Sequence, residues 1–490
     1  MLTDKRLFLI NDKNGNNLLS PAGKMFSILF LSKEIIYFCY IKSMKNYLRV
    51  NFIFLLIIIV SCNINDFTKP NVILIMADDI GYEALSINGA NDIKTPVLDS
   101  LARNGLNFKN AYSQPLCTPS RVKLMTGKPN HENYEYFTYL NPKEKTFGNL
   151  FQDNGYKTLV AGKWQLNGVQ FKLDKYKDLK RPYTFGFDSY MLWWLAERGS
   201  RFANPVLVND GKKIDTSIND YGPEIVSNYI VDFINENNNS PFFIYYPMML
   251  VHDPFLPTPN SEDWENEQNR LNSNNPEYFP EMVGYMDFTV GKIVNALKKN
   301  NIDDNTIIIF LGDNGTDRKV NTLNKNVLIK GGKGLTNKYG TNIPLIISWS
   351  KLKKNKSEQT GLVDLVDFYS TFEDLLNVEN KTTKGVSLMP LLKGENFEER
   401  KYLTTYYNPM WGNLHRNRAV YIQNKSYKLY KNGRLYNYQL DPEEKFPLSL
   451  KNLDKSIIKQ HFEMDSILKT VPDLPKINFN NWQERLKASN

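Results

Sequence analysis

The sequence is poor in cysteine and has neither a long apolar run nor a long basic block. Its 490 residues include three cysteines, Cys39, Cys62 and Cys117, but the chain is long enough to bury a large core without disulfides. No apolar run approaches the roughly 20 residues of a membrane-spanning helix, which excludes a multi-span membrane protein. Since no block of Lys and Arg occurs, the net charge of +9 is weak evidence for a nucleic-acid partner, and we expect none.

The composition is that of an ordinary globular protein. Hydrophobic residues make up 41% and charged residues 23% of the chain, which excludes disordered and collagen-like classes. A prior of roughly 150 residues per domain suggests two to three folded units.

A segment near the N-terminus has the pattern of an export signal. Lys45 and Arg49 precede an apolar stretch of signal-peptide length at residues 50–60. The following Ser61-Cys62 resembles a bacterial lipoprotein box, in which the cysteine is lipidated. We therefore expect a lipid anchor to a membrane and export to the periplasm, the outer membrane or the cell surface. The alternative is an ordinary secretory signal or a membrane anchor.

This interpretation divides the N-terminal part of the chain. Residues 1–43 are then an upstream extension, 44–61 a lipoprotein signal peptide and 62–70 a tether. Cys117 is left as the single cysteine of the folded body. A lone thiol in an exported protein has either a chemical role or the simpler role of a small buried apolar side chain.

Apolar runs typical of buried strands alternate with segments of helical periodicity. This pattern predicts an α/β fold with a large, mostly parallel sheet flanked by helices. The predicted strands are 71–77, 158–161, 242–250, 306–311 and 343–349. The predicted helices are 95–104, 223–238, 282–300, 362–378 and 456–468.

The pattern changes near residue 400. Short alternating segments over 418–439, with Asn432-Gly433 as a turn, predict an antiparallel meander. We therefore expect a large α/β domain at 71–400 and a small C-terminal α+β subdomain, with an antiparallel sheet, at 401–490.

Acidic side chains follow two of the predicted strands. Asp78 and Asp79 come directly after strand 71–77, and Asp313 and Asn314 come just after strand 306–311. In open α/β sheets, ligands bind outside the carboxyl ends of the strands. Carboxylate and amide oxygens are hard ligands that suit Ca²⁺ or Mg²⁺ better than Zn²⁺ or copper. The alternative is that both segments are solvated turns.

Cys117 lies in a specific motif. The string Cys117-Thr118-Pro119-Ser120-Arg121, followed by L-M-T-G at 124–127, resembles the signature of the sulfatase family. In that family a maturation enzyme, aerobic or anaerobic, oxidises the cysteine to formylglycine (3-oxoalanine). The hydrate of this aldehyde is the nucleophile that attacks a sulfate ester. The resemblance gives the lone thiol a purpose and implies the α/β fold of the alkaline phosphatase superfamily.

The resemblance extends over about residues 70–450. The strings that carry it are N-V-I-L-I-M-A-D-D at 71–79, T-P-V-L-D-S-L-A-R-N-G at 95–105, A-G-K-W at 161–164, H-D-P-F at 252–255, G-D-N-G at 312–315, G-G-K-G at 331–334 and the C-terminal Y-K-L, L-Y and D-P-E over 427–443. Their order and spacing together are specific, and residues 71–400 are then the catalytic domain.

The resemblance also implies a role for each site residue. The cation, one Ca²⁺ per chain, would be held by Asp78, Asp79, Asp313, Asn314 and the modified Cys117. Arg121 would stabilise the hydrated aldehyde, and Lys163 and Lys333 would hold the sulfate oxygens. His252 would bind sulfate and protonate the leaving alcohol, since an imidazole pKa of about 6.5 suits that work. Asp313 is a candidate base.

One position departs from the family pattern. The family reads G-K-W-H-L-G where this chain has G-K-W-Q-L-N-G, so Gln165 replaces a histidine implicated in regenerating the aldehyde. Glutamine can hydrogen-bond sulfate but cannot act as a base. We expect Gln165 to lie beside Lys163 as a hydrogen-bonding residue. A second departure, K-Y-G-T-N-I-P at 338–344, is interpreted as structural variation.

Two aromatic and basic clusters are candidates for sugar binding. The first contains Trp193, Trp194, Arg198 and Arg201 in an apparent insertion, and the second contains Trp411, His415, Arg416 and Arg418. Aromatic faces stack on sugar rings, and guanidinium groups bind sulfate or carboxylate. The alternative for the first cluster is a helix packed by two tryptophans with exposed arginines.

Three functions from different classes follow. The leading one is hydrolysis of sulfate esters on a carbohydrate, a polysaccharide or oligosaccharide such as an algal glycan or a glycosaminoglycan. The second is a phosphoester or phosphonate hydrolase of the same superfamily, against which the C-T-P-S-R string argues. The third is a non-catalytic glycan-binding lipoprotein, to which Gln165 gives some weight.

Overall fold

The computed structural model of the protein describes residues 9–11, 17–19, 69–353, 357–379, 381, 383–412 and 417–476. By its internal contacts the chain divides into residues 1–68 and 69–490. In the first part, β1 (Leu9–Asn11) and β2 (Asn17–Leu19) pair antiparallel. The predicted signal peptide and Cys62 lie outside the described residues. In the part of the chain that is described, no helix has both the length and the apolar character needed to cross a bilayer.

Residues 69–490 contain one large sheet that includes ten of the described strands. In chain order these are β3 (Asn71–Ala77), β4 (Leu106–Tyr112), β5 (Lys157–Lys163), β6 (Ser189–Trp193), β7 (Leu207–Asn209), β8 (Lys212–Lys213), β9 (Phe242–Pro247), β10 (Thr306–Gly312), β13 (Asn342–Ser348) and β14 (Glu358–Asp364). Strands β11 (Asn321–Asn324) and β12 (Val327–Lys330) form a separate small hairpin. Their order is β14-β4-β13-β10-β3-β9-β5-β6-β7-β8. The centre, β10 to β6, is parallel, whereas β13, β7 and β8 run antiparallel to their neighbours.

Helices pack on both faces of this sheet. The described α-helices are α1 (Pro96–Asn104), α2 (Cys117–Thr126), α3 (Asn130–Asn133), α4 (Phe147–Asp153), α5 (Arg181–Thr184), α6 (Gly222–Glu236), α7 (Glu267–Asn272), α8 (Phe279–Lys299), α9 (Lys338–Thr341), α10 (Val366–Leu375), α11 (Met389–Lys393) and α12 (Lys455–Thr470). Short 3-10 helices lie at Tyr82–Ala84, Ser86–Asn88, Val169–Phe171, Glu262–Glu265, Pro276–Tyr278, Asp303–Asn305 and Leu450–Asn452.

Alternate residues of β3 divide between two apolar cores. Ile73 and Ile75 face the core that contains α1, α6 and α8, whereas Val72 and Leu74 face the core that contains α2, α4 and α10. A strand buried on both faces is apolar on both faces, which explains the uninterrupted apolar run at 72–77, and the buried Asn71 side chain is hydrogen-bonded to Thr306 and to the Phe242 N–H. The predicted α/β class, with a mostly parallel sheet between helical layers, is confirmed.

The C-terminal part forms the predicted antiparallel meander. Strands β15 (Leu403–Tyr407), β16 (Ala419–Gln423), β17 (Tyr427–Tyr430) and β18 (Leu435–Asn437) pair in sequence order. Helix α12 covers this sheet through Met464 and Leu468. Contacts place this sheet and the large sheet in the same compact unit, residues 69–490.

The structure differs from the predicted elements at several boundaries. The predicted helix 362–378 begins with three residues that belong to β14, because they pair with β4. The predicted strand 242–250 ends at Pro247, and the predicted strand 158–161 extends to Lys163. Strands β4 and β6 were not predicted, since polar residues interrupt the first and the second is only five residues long.

Candidate active site

Acidic and amide side chains meet at the carboxyl ends of β3 and β10. The two strands are parallel neighbours, so Asp79 and Asp313 leave the sheet at the same edge. The backbone N–H of Asp79 donates to Asp313 Oδ1 at 3.0 Å, and Asn314 Nδ2 donates to Asp79 Oδ1 at 2.8 Å. Asp78, Asp79, Asp313 and Asn314 are each 0% exposed.

These residues fit a hard divalent cation. One ligand atom from each of Asp78, Cys117 and Asp313 lies within 4.8 Å of the other two. The buried Asn314 Oδ1 has no hydrogen-bond partner among the residues that the structure describes, although buried amide oxygens are nearly always paired. Ligands at roughly 2.3–2.6 Å from a shared calcium ion satisfy this spacing, and the donor set is rich in oxygen. The four residues that the sequence placed here are therefore brought together.

Cys117 is the first residue of α2 and is 2% exposed. Burial raises the pKa of its thiol, as do Asp313 and Asp78, against the opposing effect of Lys163. Arg121 follows one turn later on the same helix. Its Nη1 donates to the Lys163 carbonyl at 2.7 Å, and its Nη2 lies 3.4 Å from Asp313 Oδ2. Helix α2 thus presents the thiol and a cation to the same carboxylates.

Lys163 ends β5 and forms a fully buried ion pair with Asp78. Its Nζ lies 2.8 Å and 2.7 Å from the two oxygens of Asp78, and both side chains are fully buried. The preceding Gly162 has φ 125°, and a Cβ there would lie 2.0 Å from the Pro247 carbonyl oxygen. Only glycine therefore allows β5 to approach β9 closely enough for the Lys163 ammonium group to pair with the Asp78 carboxylate.

Gln165 lies where the sequence predicted it, two residues beyond Lys163. Its Oε1 accepts a hydrogen bond from Cys117 Sγ at 3.4 Å, and it is 2% exposed. Its φ of 56° turns the chain sharply at the end of β5. The glutamine amide consequently touches the residue that the family resemblance makes the nucleophile.

His252 and Lys333 approach the cluster from its other side. Lys333 Nζ pairs with Asp79 Oδ2 and lies 2.9 Å from His252 Nε2. His252 Nδ1 lies 2.7 Å from Asp253 Oδ1, and Asp253 Oδ2 pairs with Lys319 at 2.8 Å. Since Lys333 can only donate, this network assigns the imidazole proton to Nδ1 and leaves Nε2 as an acceptor.

Burial and neighbouring charges set the protonation of this site. Burial and Lys333 lower the pKa of His252 against the effect of Asp79, so the neutral imidazole is favoured. Despite burial, the cations Lys163 and Arg121 hold the pKa of Asp78 well below its usual range. Burial and the charge of Asp78 raise the pKa of Asp313 to about 8. A cation bound between the two carboxylates would lower the latter pKa, because positive charge favours the ionised form.

Arg201 also contacts this cluster of charged residues, and the sequence did not predict its contact with Asp78. Its Nη1 lies 3.6 Å from Asp78 Oδ2, and its guanidinium packs 4.2 Å from the centroid of the Trp193 ring. Trp193 is the last residue of β6 and is 0% exposed, so the expectation that it stacks on a sugar ring from an insertion is wrong. Its ring positions Arg201 instead.

The other predicted sugar-binding residues are less enclosed. Arg198 is exposed and lies 5.1 Å from the ring centroid of Trp194, itself 6% exposed. Trp411 stacks on Phe137 with ring centroids 4.8 Å apart, beside the apolar cluster that includes Cys117. His415 and Arg416 lie outside the described residues.

Two acidic side chains of the site carry weaker sequence signals. Asp253 orients His252, and the H-D-P-F string contains it without distinguishing it from a loop residue. Glu83 accepts from Thr316 Oγ1 at 2.6 Å, and this hydroxyl also accepts from the Gly81 N–H at 3.0 Å. Glu83 therefore ties the loop after β10 to the loop after β3, and no motif marked it.

Comparisons with known proteins were made by sequence and by structure. A model of the sulfatase family matches residues 70–378, and a model described as the C-terminal part of N-sulphoglucosamine sulphohydrolase matches residues 333–468. The N-acetylgalactosamine-6-O-sulfatase of Bacteroides thetaiotaomicron is 27% identical over 420 residues, which cover 68% of this chain and 78% of that protein. The N-acetylglucosamine-6-O-sulfatase of the same organism is 24% identical and covers 77% and 82% of the two chains.

Solved structures show the same relationship. The crystal structure of Ps i-CgsB has a TM-score of 0.67 and 27% sequence identity, and the match covers 85% of this chain and 98% of that one. Ps i-CgsB has also been solved in complex with k-i-k-neocarrahexaose.

Proposed function

The chain belongs to the sulfatase family and is a sulfuric ester hydrolase, and we propose that it removes sulfate from a sulfated carbohydrate. The observation that carries the proposal is the contact set of Cys117, which touches Gln165 and faces Asp78 and Asp313 within 4.8 Å. The similar proteins support a carbohydrate substrate, since two are named N-acetylgalactosamine-6-O-sulfatase and N-acetylglucosamine-6-O-sulfatase and one is solved with k-i-k-neocarrahexaose.

Two groups would complete this site. Asp78, Asp79, Asp313 and Asn314 would hold one Ca²⁺, and Cys117 would be converted to formylglycine by a maturation enzyme. The formylglycine supplies the oxygen nucleophile that a thiol lacks, and the cation supplies positive charge beside it. Mg²⁺ is the weaker candidate, because it prefers to keep several waters and this site offers mostly protein ligands.

The chain's own charges favour binding of the sulfate. Four cationic side chains, Lys163, Lys333, Arg121 and Arg201, face three carboxyl groups, Asp78, Asp79 and Asp313, which leaves an excess of at least one positive charge before any metal binds. All of these lie in a buried site, where electrostatic attraction is much stronger than in water. The lysines therefore bind the sulfate oxygens and stabilise the charge that develops as the ester bond breaks.

The leaving oxygen needs a proton, and the pair of Lys333 and His252 holds one. Lys333 Nζ donates to both Asp79 and His252, and the carboxylate of Asp79 raises its pKa despite burial. His252 Nε2 accepts from Lys333, so the neutral imidazole orients the ammonium group from which the proton leaves toward the substrate. Asp253 fixes the imidazole orientation by accepting from Nδ1.

The proposal is tested by a desulfation screen. The protein is co-expressed with a formylglycine-generating or anaerobic sulfatase-maturing enzyme, and peptide mass spectrometry measures the aldehyde at residue 117. Free sulfate is then measured across defined sulfated oligosaccharides, with matched phosphate esters as the control. We expect turnover of a saccharide sulfate at a rate far above that of the phosphate ester. Full activity with an unmodified thiol at 117 would contradict the proposed nucleophile.

Export as a lipoprotein is a separate proposal that rests on the segment ending at Cys62. A sulfatase that acts on polysaccharide fragments needs access to substrate outside the cytoplasm, which a lipid anchor in the periplasm or at the cell surface provides. Cys62→Ser should move the protein from the membrane fraction to the soluble fraction. An unchanged membrane fraction would contradict lipidation at this residue.

A further inference from the structure

A basic cavity lies beside the cluster of buried charges. It has a volume of about 160 Å³ and is lined by three arginines, Arg198, Arg201 and Arg270, together with apolar and small residues. None of its lining residues is acidic. Trp193 and Pro254 form part of its wall, and Pro254 follows His252-Asp253 directly. We call this cavity the arginine pocket.

The guanidinium groups of the pocket are held in place but incompletely paired. Arg201 is 4% exposed and its Nη1 makes no hydrogen bond within the described residues. Arg270 is 6% exposed and donates to the Trp264 carbonyl at 3.0 Å and to Asn219 Oδ1 at 3.2 Å, and its Nε has no partner in the described part of the chain. Buried donors of this kind are normally paired, so their spare capacity suits a ligand.

Like charges are also concentrated here. Arg198 and Arg201 both line the pocket, and Arg201 is buried beside Trp193. The carboxylate of Asp78, with which Arg201 pairs, is shared with Lys163 and Arg121. An anion in the pocket would relieve this repulsion, because guanidinium groups bind sulfate and carboxylate through paired hydrogen bonds.

We propose that the arginine pocket binds a second anionic group of the substrate, a sulfate or a carboxylate close to the sulfate that is removed. The inference rests on the proposed function and narrows it to glycans with at least two negative groups on one sugar or on adjacent sugars. Arg201 contacts both the pocket and Asp78, so the second anion is held next to the reacting sulfate.

The test uses the matured protein and the substrates of the desulfation screen. The best saccharide is compared with the same saccharide lacking its second sulfate or its carboxylate, and kcat/KM is measured for both. We expect the dianionic saccharide to be preferred by about ten- to a hundredfold, the effect of one charge-assisted hydrogen-bonded contact. One pair of saccharides that differs by a sulfate and another pair that differs by a carboxylate show which of the two groups the pocket binds.

Arg198 is the position to change, because Arg201 and Arg270 are buried and their loss threatens the fold. Arg198→Gln should reduce the preference ratio by about tenfold, and Arg198→Lys should retain part of it, since lysine keeps the charge but not the planar fork. Arg434→Gln is the matched control, because Arg434 is exposed, lies 5.2 Å from the ring centroid of Tyr430 and does not line the pocket.

The outcomes separate this inference from the function on which it rests. A best substrate with one anionic group, or an unchanged preference in Arg198→Gln, would contradict binding of a second anion in the arginine pocket. Neither result would contradict removal of sulfate from a carbohydrate. A matured protein that desulfates no saccharide would overturn the proposed carbohydrate function itself, before any variant is made.

Discussion

Gln165 gives the sharpest test of how this site works, because a histidine occupies the corresponding position in the family pattern. The perturbation is a pair of substitutions, Gln165→Ala and Gln165→His. The amide lies in a buried position and accepts a hydrogen bond from Cys117 Sγ at 3.4 Å. All three side chains share the strained φ of 56°, so backbone strain changes little between the variants.

The magnitude follows from the hydrogen bond that we expect Gln165 to make to the charged sulfate of the substrate. A hydrogen bond to a charged group is worth about 1.5–3 kcal/mol, and about 1.4 kcal/mol changes a rate tenfold. Since Gln165 is 2% exposed, water does not replace the lost amide easily. Gln165→Ala should therefore reduce kcat by about ten- to a hundredfold. Gln165→His should remain active with an altered pH dependence, because imidazole can exchange protons and an amide cannot.

The assay is kcat and KM over a range of pH, with pre-steady-state measurement of the first turnover. Gln170→Ala is the matched control, because Gln170 is half-buried in the short helix Val169–Phe171 and should show no change. Less than a twofold loss in Gln165→Ala would refute a positioning role. A burst of one product equivalent that then stalls, followed by free turnover in Gln165→His, would show that the natural chain lacks the proton transfer needed for regeneration.

Three further predictions concern the cation, the histidine and the fold. Chelation should abolish activity and lower the Tm, and Ca²⁺ should restore both better than Mg²⁺ does; full activity in excess chelator would exclude an essential cation. Asp253→Asn should lower kcat/KM by about tenfold by weakening the bond that orients His252, and Lys319→Gln should cost less because it leaves that bond intact. Asp287 accepts hydrogen bonds from the backbone N–H groups of Val97 and Leu98 at 3.0 Å and 2.8 Å. In denaturation experiments, Asp287→Ala should lower the free energy of unfolding by about 1–2 kcal/mol, as loss of a helix cap does, and Asp287→Asn should have an intermediate effect.

The parts of the fold that the sequence predicts are those with local signals. The sequence predicts strand 71–77 with its observed bounds, because burial on both faces produces the unbroken apolar run at 72–77. The loop residues that follow were predicted as a cluster, because the carboxyl ends of parallel strands meet at one edge. Both inferences need only periodicity and chain direction.

The parts that the sequence does not predict depend on partners distant in the chain. Residues 362–364 have apolar spacing that suits either a helix or a strand, and pairing with β4 decides for the strand. The sequence favours a sugar-stacking role for Trp193 because it does not show that this side chain is buried. The burial follows from the position of β6 between β5 and β7. Arg201 reaches Asp78 only because that sheet order brings it there, and no local motif encodes the contact.

The buried charges themselves argue that this edge of the sheet is built for a ligand. Taking an ion pair out of water costs several kcal/mol per ion, and apolar replacements of similar volume are often as stable or more so. Asp78 alone faces Lys163, Arg121 and Arg201 without exposure to solvent. Such an arrangement adds little to stability. It does hold positive charge in fixed positions before substrate arrives, and fixed charges stabilise a developing anion without the reorganisation that water requires. The same argument applies to the arginine pocket, whose unpaired donors cost stability unless an anionic group of the substrate fills it.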